Sequence, residues 1–479
     1  MKLLTAALAL VLVLAGCASS RGLSTLATLD DPNRLAASST LRGQTLSPAA
    51  WPKADWWKAL GDPQLDRLMD EALAGAPRLR LAEARVRRAI GVAQLQGAAR
   101  YPSLEASGSV IRQRFSEHGL IPPPFAGAYL TMPQLQASAS YELDLWGKNR
   151  AAYEAAVGEA NAAQIDAQAA RLTLAVNVAL AYGQLERAYL QLDVAEKSLQ
   201  QRDQVFALTR QRYEAGLDSR LALKQAEAAL PATKEQIAQL QETIGLLRNQ
   251  LAALIGQGPD RGVAIARPVT FIATPLALPS VLPAELLGRR PDIVAQRWRV
   301  EAARRQIDVA KAQFYPNVSL TGFAGLQSIS LSGFLDSGNR TFGIGPAISL
   351  PLFDSGRLRG NLSTRNADYD AAVEQYNQAL VDALREVADQ LTSYRGLQEQ
   401  LVQQAAAQAT TQEAYDLALL RYREGVGNYL EVLSAESQLL QQQSLEADLK
   451  ARGLALSINL VRALGGGFDP GPLAANEGK

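Results

Sequence analysis

Few side chains in this sequence could carry out covalent or acid–base chemistry. There is one cysteine, Cys17, and one histidine, His118. A metal centre built from several His and Cys ligands is therefore impossible, and so is an internal disulfide. No Walker loop and no nucleophile elbow occurs. His118 falls in a segment expected to be a surface loop. Gly343, Gly345 and Pro346 fall in an expected strand, where glycine marks room for packing rather than a phosphate cradle. Arg87-Arg88 and Arg304-Arg305 read as solvated helix faces. The expectation is a chain with no catalytic residue, no metal and no cofactor other than a lipid on Cys17.

That thiol stands at the end of an apolar run, residues 3–15, which follows Lys2. The run is too short to span a bilayer as a helix, which takes about 20 residues. A charged start, a short apolar core and small residues at its end read as a secretory signal over residues 1–16. Its end, Leu14-Ala15-Gly16-Cys17, resembles a bacterial lipobox, in which the signal is cut before the cysteine and the thiol is acylated. An ordinary signal peptide is the alternative, but Cys17 is the sole cysteine and sits at the cut point. Ala18 in place of Asp favours the outer over the inner membrane.

Bulk composition narrows the class. With 48 basic and 47 acidic side chains, nothing asks for nucleic acid. A mean hydropathy of −0.06 rules out a bundle of transmembrane helices. Few aromatics and abundant Ala, Leu and Gln suit long helices with one apolar seam.

The elements that position these residues are written twice. Arg212-Tyr213-Glu214-Ala215-Gly216-Leu217 matches Arg421-Tyr422-Arg423-Glu424-Gly425-Val426 at an offset of 422 − 213 = 209. The same offset maps Leu221 on Leu430, Ala226-Glu227 on Ala435-Glu436, and Gly147-Lys148 on Gly356-Arg357. Tyr101-Pro102 matches Tyr315-Pro316 at an offset of 214, so five residues are missing between Pro316 and Gly356. A length-tolerant loop is expected there.

Each copy starts with a helix, about 79–101 or 292–315, ended by the Tyr-Pro pair. Alternating segments follow at about 103–113 and 134–145, and at 317–328 and 342–353. Segments of this length joined by loops are the signature of membrane β-strands. Tyr101, Tyr315, Trp146 and Phe353 stand at the strand ends nearest the helices, where aromatics anchor in a membrane interface or simply pack locally. Long helices then run over about 151–215 and 360–424. Leu185, Ala188, Leu192, Ala195, Leu199, Phe206 and Tyr213 trace a coiled-coil seam, interrupted at Arg202 and Thr209. Gly216 and Gly425 are expected to end these helices, and shorter helices return over 217–254 and 426–464. A short helix and a returning helix end to end match the length of one long helix.

This arrangement resembles the TolC-like and OprM-like outer membrane factors over about residues 50–465. Trp56-Trp57-Lys58-Ala59-Leu60-Gly61-Asp62-Pro63-Gln64-Leu65, Tyr141-Glu142-Leu143-Asp144-Leu145-Trp146-Gly147-Lys148 and Leu286-Leu287-Gly288-Arg289-Arg290-Pro291-Asp292-Ile293 look like the lipoprotein branch serving drug-efflux pumps. The resemblance implies a mixed α and β membrane protein in which a duplicated helix–strand–strand–helix repeat gives four strands to a trimeric β-barrel and a long periplasmic α-helical barrel. It divides the chain into signal peptide 1–16, N-terminal segment 17–75, first repeat 76–257, equatorial linker 258–290, second repeat 291–465 and C-terminal tail 466–479. It implies a passive homotrimeric exit duct in the outer membrane lipid, docked to a periplasmic adaptor and an inner-membrane pump.

The family closes its duct at the periplasmic tip. By resemblance, Tyr422 matches the gate tyrosine and Leu430 the constriction, with Tyr213 the corresponding tyrosine of the first turn and Gly216 and Gly425 marking the tips. Ser434 departs from an Asp position of the family, and Glu431 is expected to supply the carboxylate ring instead, making the opening cation-selective. The alternative for Glu431 is a solvated helix start. The rival functions are a periplasmic adaptor or structural lipoprotein, which would carry one helical hairpin rather than two copies, and a protein-secretion duct.

Overall fold

The computed structural model describes residues 19–31, 46–47, 51–269, 278–279 and 288–469. Cys17, the signal segment, most of the expected tail and part of the expected linker lie outside the described residues. The chain divides into two compact units, and its two longest helices contribute residues to both.

The first unit takes Arg85–Ala163 and Gln296–Asn377 together with the N-terminal stretch up to Leu29. Helices α2 (Pro77–Ala98) and α6 (Pro291–Ala312) lead into strands β1 (Ser103–Arg114) and β3 (Asn317–Gln327). Both helices stop a turn before the Tyr-Pro pair. The return strands are β2 (Tyr129–Leu143) and β4 (Arg340–Ser349). The five-residue shortfall of the second copy is thus not confined to a loop: its return strand has 10 residues against 15. Strand β2 starts five residues before the expected position because Pro133 does not break it. The Pro133 carbonyl accepts from Ser328 N (3.2 Å), just past the end of β3, so its missing N–H faces that strand end rather than the ladder to β1.

The sheet is antiparallel in the order β1-β2-β3-β4. Residues paired across a ladder share a face, and the register gives one mainly apolar and one mainly polar face, with Ile111, Leu130 and Met132 at the loop end of the polar one. Leu104, Val110, Leu135, Ala137, Leu143, Leu320, Ala324, Phe342, Ile344 and Ile348 lie on one face. Ser107, Ser109, Gln134, Gln136, Ser138, Ser140, Ser319 and Thr321 lie on the other. The apolar face is uncovered: Phe342, Ile344 and Ile348 are 82%, 81% and 72% exposed. The polar face has one aromatic, Phe323, which lies over Gly343, where an added Cβ would sit 2.8 Å from its ring. Below the strands, Trp146 stacks on Tyr315 (4.6 Å) and donates from Nε1 to Pro316 O (2.8 Å). Leu23 packs near Ile307 and Leu362, and Asp370 accepts from Leu26 N and Ala27 N, both at 2.9 Å.

The second unit takes Asp30–Ala84, Gln164–Ala295 and Gln378–Lys479. Its core centres on Trp56, Trp57, Leu65, Leu68, Met69, Tyr182, Leu185, Leu251 and Ile458. Asp62 caps helix α1 (Pro63–Gly75) by accepting from Gln64 N (2.7 Å) and also accepts from the Tyr182 hydroxyl (2.7 Å). Burial and that carboxylate raise the Tyr182 pKa. Arg290 is buried between Asp292, Glu386 (3.0 Å) and Ala463 O (3.2 Å). Asp62 and Arg290, each from one of the sequence motifs, therefore tie separate helices together. A five-residue helix, α5 (Pro259–Val263), follows α4 (Arg220–Leu254).

Helices α3 (Lys148–Glu214) and α7 (Arg357–Arg423) each have 67 residues, about 100 Å of helix. Helices α4 (Arg220–Leu254) and α8 (Tyr429–Ala463) each have 35. Among the described residues no helix is long and apolar enough to cross a membrane.

Candidate gate at the helix turns

The two α-hairpin turns are built alike from their sequences. Gly216 (φ 73°) and Gly425 (φ 77°) take the left-handed conformation that ends α3 and α7. Leu217 N donates to Arg212 O (2.8 Å) and Val426 N to Arg421 O (3.0 Å), the six-to-one bonds of a Schellman end. Ser219 caps α4 by accepting from Ala222 N (3.2 Å), and Asn428 caps α8 by accepting from Glu431 N (3.1 Å).

The side chains break this symmetry. Tyr422 is fully buried, among Val205, Ala226, Tyr415, Tyr429 and Val432. Its hydroxyl donates to Asp218 Oδ2 (2.6 Å) and lies 2.8 Å from Thr209 Oγ1. Arg212 Nε donates to the same Asp218 oxygen (2.9 Å), its Nη1 donates to Tyr422 O (3.0 Å), and the guanidinium lies 4.8 Å from the Tyr422 ring centroid. Asp218 therefore ties the first turn to helix α7 through the Tyr422 hydroxyl and holds Arg212 of its own hairpin through a second charge-assisted bond. Burial first, then the bond to Asp218, pushes the Tyr422 phenol up to about 12. In the second turn Gly427 stands where Asp218 stands in the first, and Ala418 where Thr209 does. Its Arg421 lies 3.9 Å from Glu431 instead, and Tyr213 is partly exposed.

Leu430, Glu431 and Ser434 are exposed on α8. Glu431 accepts at Oε1 from Asn428 Nδ2 (2.9 Å) while donating its backbone N–H to Asn428, a reciprocal cap. The fold thus separates the expected gate residues into a buried tyrosine that holds the turn and an outward trio of Leu430, Glu431 and Ser434.

A second polar cluster lies a few turns along the same helices. Arg202 Nε donates to Glu436 Oε1 (2.8 Å), and Arg202 Nη1 donates to Thr233 Oγ1 (2.7 Å). Ser198 is 3.4 Å from the same carboxylate, and Glu436 is buried. Burial and the Glu436 charge push the nearby Tyr415 phenol up to about 12. Further along, Arg187 Nε and Gln191 Nε2 both donate to Asp448 (2.7 and 2.8 Å). Sequence reasoning did not assign Asp218, Arg212, Thr209, Arg202 or Glu436 to the site. Two of them carried a signal: the seam of α3 fails at Arg202 and Thr209, the two positions where a polar partner reaches in from α8 or α7. Among the described residues no group of three or more His, Cys, Asp or Glu could hold a metal ion.

Comparison with known proteins places these features in context. A family model described as outer membrane efflux protein matches residues 68–257 and 282–466. The fusaric acid resistance protein FusA of Burkholderia cepacia is 42% identical over 365 residues, spanning 76% of this chain and 69% of that protein. The multidrug resistance outer membrane protein MdtP of Escherichia coli K12 is 34% identical over 436 residues, 89% of each chain. The crystal structure of the outer membrane protein VceC from Vibrio cholerae superimposes with a TM-score of 0.81 at 40% identity, covering 88% of this chain and 100% of that one.

Proposed function

Because the chain belongs to the outer membrane efflux protein family, we propose that three copies close their four-stranded sheets into one barrel and act as a passive exit duct for small toxic compounds. The protein is an outer-membrane efflux channel of mixed α and β fold. Its family is one of transport proteins rather than enzymes. The observation that carries the proposal is the register of the sheet: one uncovered apolar face, one polar face, and edges on β1 and β4 that have no strand partner within the sheet. An apolar band outside and a polar lining inside are what a closed membrane barrel requires.

In this reading Cys17 carries the lipid anchor and no other cofactor is needed. The turns dock a periplasmic adaptor, which links the duct to an inner-membrane pump. Two relatives are named for fusaric acid and multidrug resistance, which supports small molecules rather than proteins as cargo. The gate is held by the Arg212–Asp218–Tyr422 contact, and Leu430, Glu431 and Ser434 line the closing point.

Single-channel recording in planar bilayers tests this. Wild type should show small or rare steps, and Tyr422→Phe, which loses the bond to Asp218, larger or more frequent ones. Equal steps in both would keep the channel and move the gate elsewhere. No steps from correctly inserted protein would reject the duct.

A further inference from the structure

The charges on the four strands are segregated by face in a way the duct does not need. Every arginine of the strands, Arg112, Arg114 and Arg340, lies on the apolar face, and both glutamates, Glu105 and Glu142, lie on the polar face. The ladder fixes this: Arg112 pairs with Thr131, Arg114 with Tyr129 and Arg340 with Leu326, in line with Val110, Pro133 and Leu135.

The three arginines also share one end of the sheet. Strands β1 and β2 are joined by residues 115–128, and β3 and β4 by 328–339, whereas the other strand ends run into helices. Arg112 and Arg114 close β1 at the loop end, and Arg340 opens β4 there. All three are exposed, and Tyr129, on the same face and at the same end, is 67% exposed. On the apolar face of β2, Pro133 to Leu143 spans ten residue steps, about 34 Å of strand, or about 25 Å of membrane at a ~40° tilt. Arg112 and Arg114 begin where that band ends.

In the barrel proposed above, the guanidinium groups of Arg112 and Arg114 would lie past the apolar band at headgroup depth, and that of Arg340, in register with Leu326 and Leu135, would reach there from the band's edge. Arginine presents a planar donor fork that fits phosphate, and no Asp or Glu of the strands shares its face. Arg114 also contacts Glu117 of the loop, an exposed pair that contributes little. We propose that Arg112, Arg114 and Arg340 form a binding surface for phosphate-bearing lipid headgroups of the outer leaflet. This rests on the outer-membrane barrel above. In that barrel β4 of one copy would meet β1 of the next, so Arg340 would join the neighbouring Arg112 and Arg114 in one basic patch with an aromatic beside it.

The test uses the full-length protein purified in detergent, with diphosphoryl lipid A as probe and native mass spectrometry as readout. Wild type should retain the lipid, and R112Q/R114Q/R340Q should bind it at least tenfold more weakly. The triple lysine variant should keep part of the affinity. Dephosphorylated lipid and inorganic phosphate alone should bind no better to wild type than to the glutamine variant. Equal retention of diphosphoryl lipid A by wild type and the glutamine variant would overturn the proposal, as would equal retention of the dephosphorylated lipid. Channel recordings on the same samples separate the two levels. A glutamine variant that conducts like wild type yet binds lipid equally well rejects only the lipid surface. A wild type that forms no channel rejects the barrel reading and this inference with it.

Discussion

At the residue scale, Tyr422 and Glu431 do different work although the family pattern groups them. Tyr422 is buried and acts as a neutral donor to Asp218. Removing that bond in Tyr422→Phe should lower stability by about 1.5–3 kcal/mol, the range for a bond to a charged group. Its folded pKa of about 12 lies above the unfolded value near 10. The bond's contribution is therefore complete below pH 10 and lost as pH rises through about 12. The gap in melting temperature between wild type and Tyr422→Phe should stay constant from pH 6 to 9 and shrink above 10; a gap that closes near neutrality would mean another group titrates. Glu431 is exposed and already engaged by Asn428 and, at 3.9 Å, Arg421. Glu431→Ala should reduce the cation preference of the open channel, measured as reversal potential in a salt gradient. Unchanged selectivity would leave Glu431 as a helix cap only.

At the element scale, what matters is which helices are tied to which. The Arg202–Glu436 pair joins α3 to α8, and Arg202 also reaches Thr233 on α4. The side chains are 17% and 5% exposed, so the pair is largely withdrawn from water. Removing one partner of a buried pair leaves an uncompensated charge and costs about 3–5 kcal/mol, whereas replacing both with apolar side chains of like size is often close to neutral. Glu436→Ala should therefore lower the unfolding temperature far more than Arg202→Met/Glu436→Leu. If the double variant is as unstable as the single, the pair contributes net stability of its own. Asp218, by contrast, has no counterpart in the second copy, where Gly427 stands. The two hairpins are similar in sequence, but only the first carries Thr209 and Asp218, whose contacts with Tyr422 have no equivalent at Ala418 and Gly427 of the second.

At the scale of the whole molecule, the sheet must meet lipid on one side and water on the other. Ala137 and Ser138 are neighbours in sequence but lie on opposite faces. An arginine on the lipid face near the bilayer midplane costs about 2–4 kcal/mol, while one in the lumen is tolerated. Ala137→Arg should sharply reduce the protein recovered from the outer-membrane fraction, and Ser138→Arg should leave it near wild type. Similar yields would show that the apolar face meets something other than lipid. A one-residue slip would exchange the two faces, so this comparison tests the register as well as the environment.

The repeat at offset 209, the glycines that end the long helices and the alternation of the strands were legible in the sequence because each depends on local geometry: helical period, left-handed turns and the two-residue pleat. Single-chain periodicity also exposed the faults at Arg202 and Thr209 without naming what fills them. Their partners, Glu436 and Tyr422, lie 234 and 213 residues away, and no local rule spans that distance. The burial of Tyr422, the one-sided Asp218 contact and the gathering of three strand arginines at one rim arise only when hairpins and strands from both copies pack together. Tertiary structure decided them because burial and pairing are properties of the neighbours that folding brings, not of the residue itself.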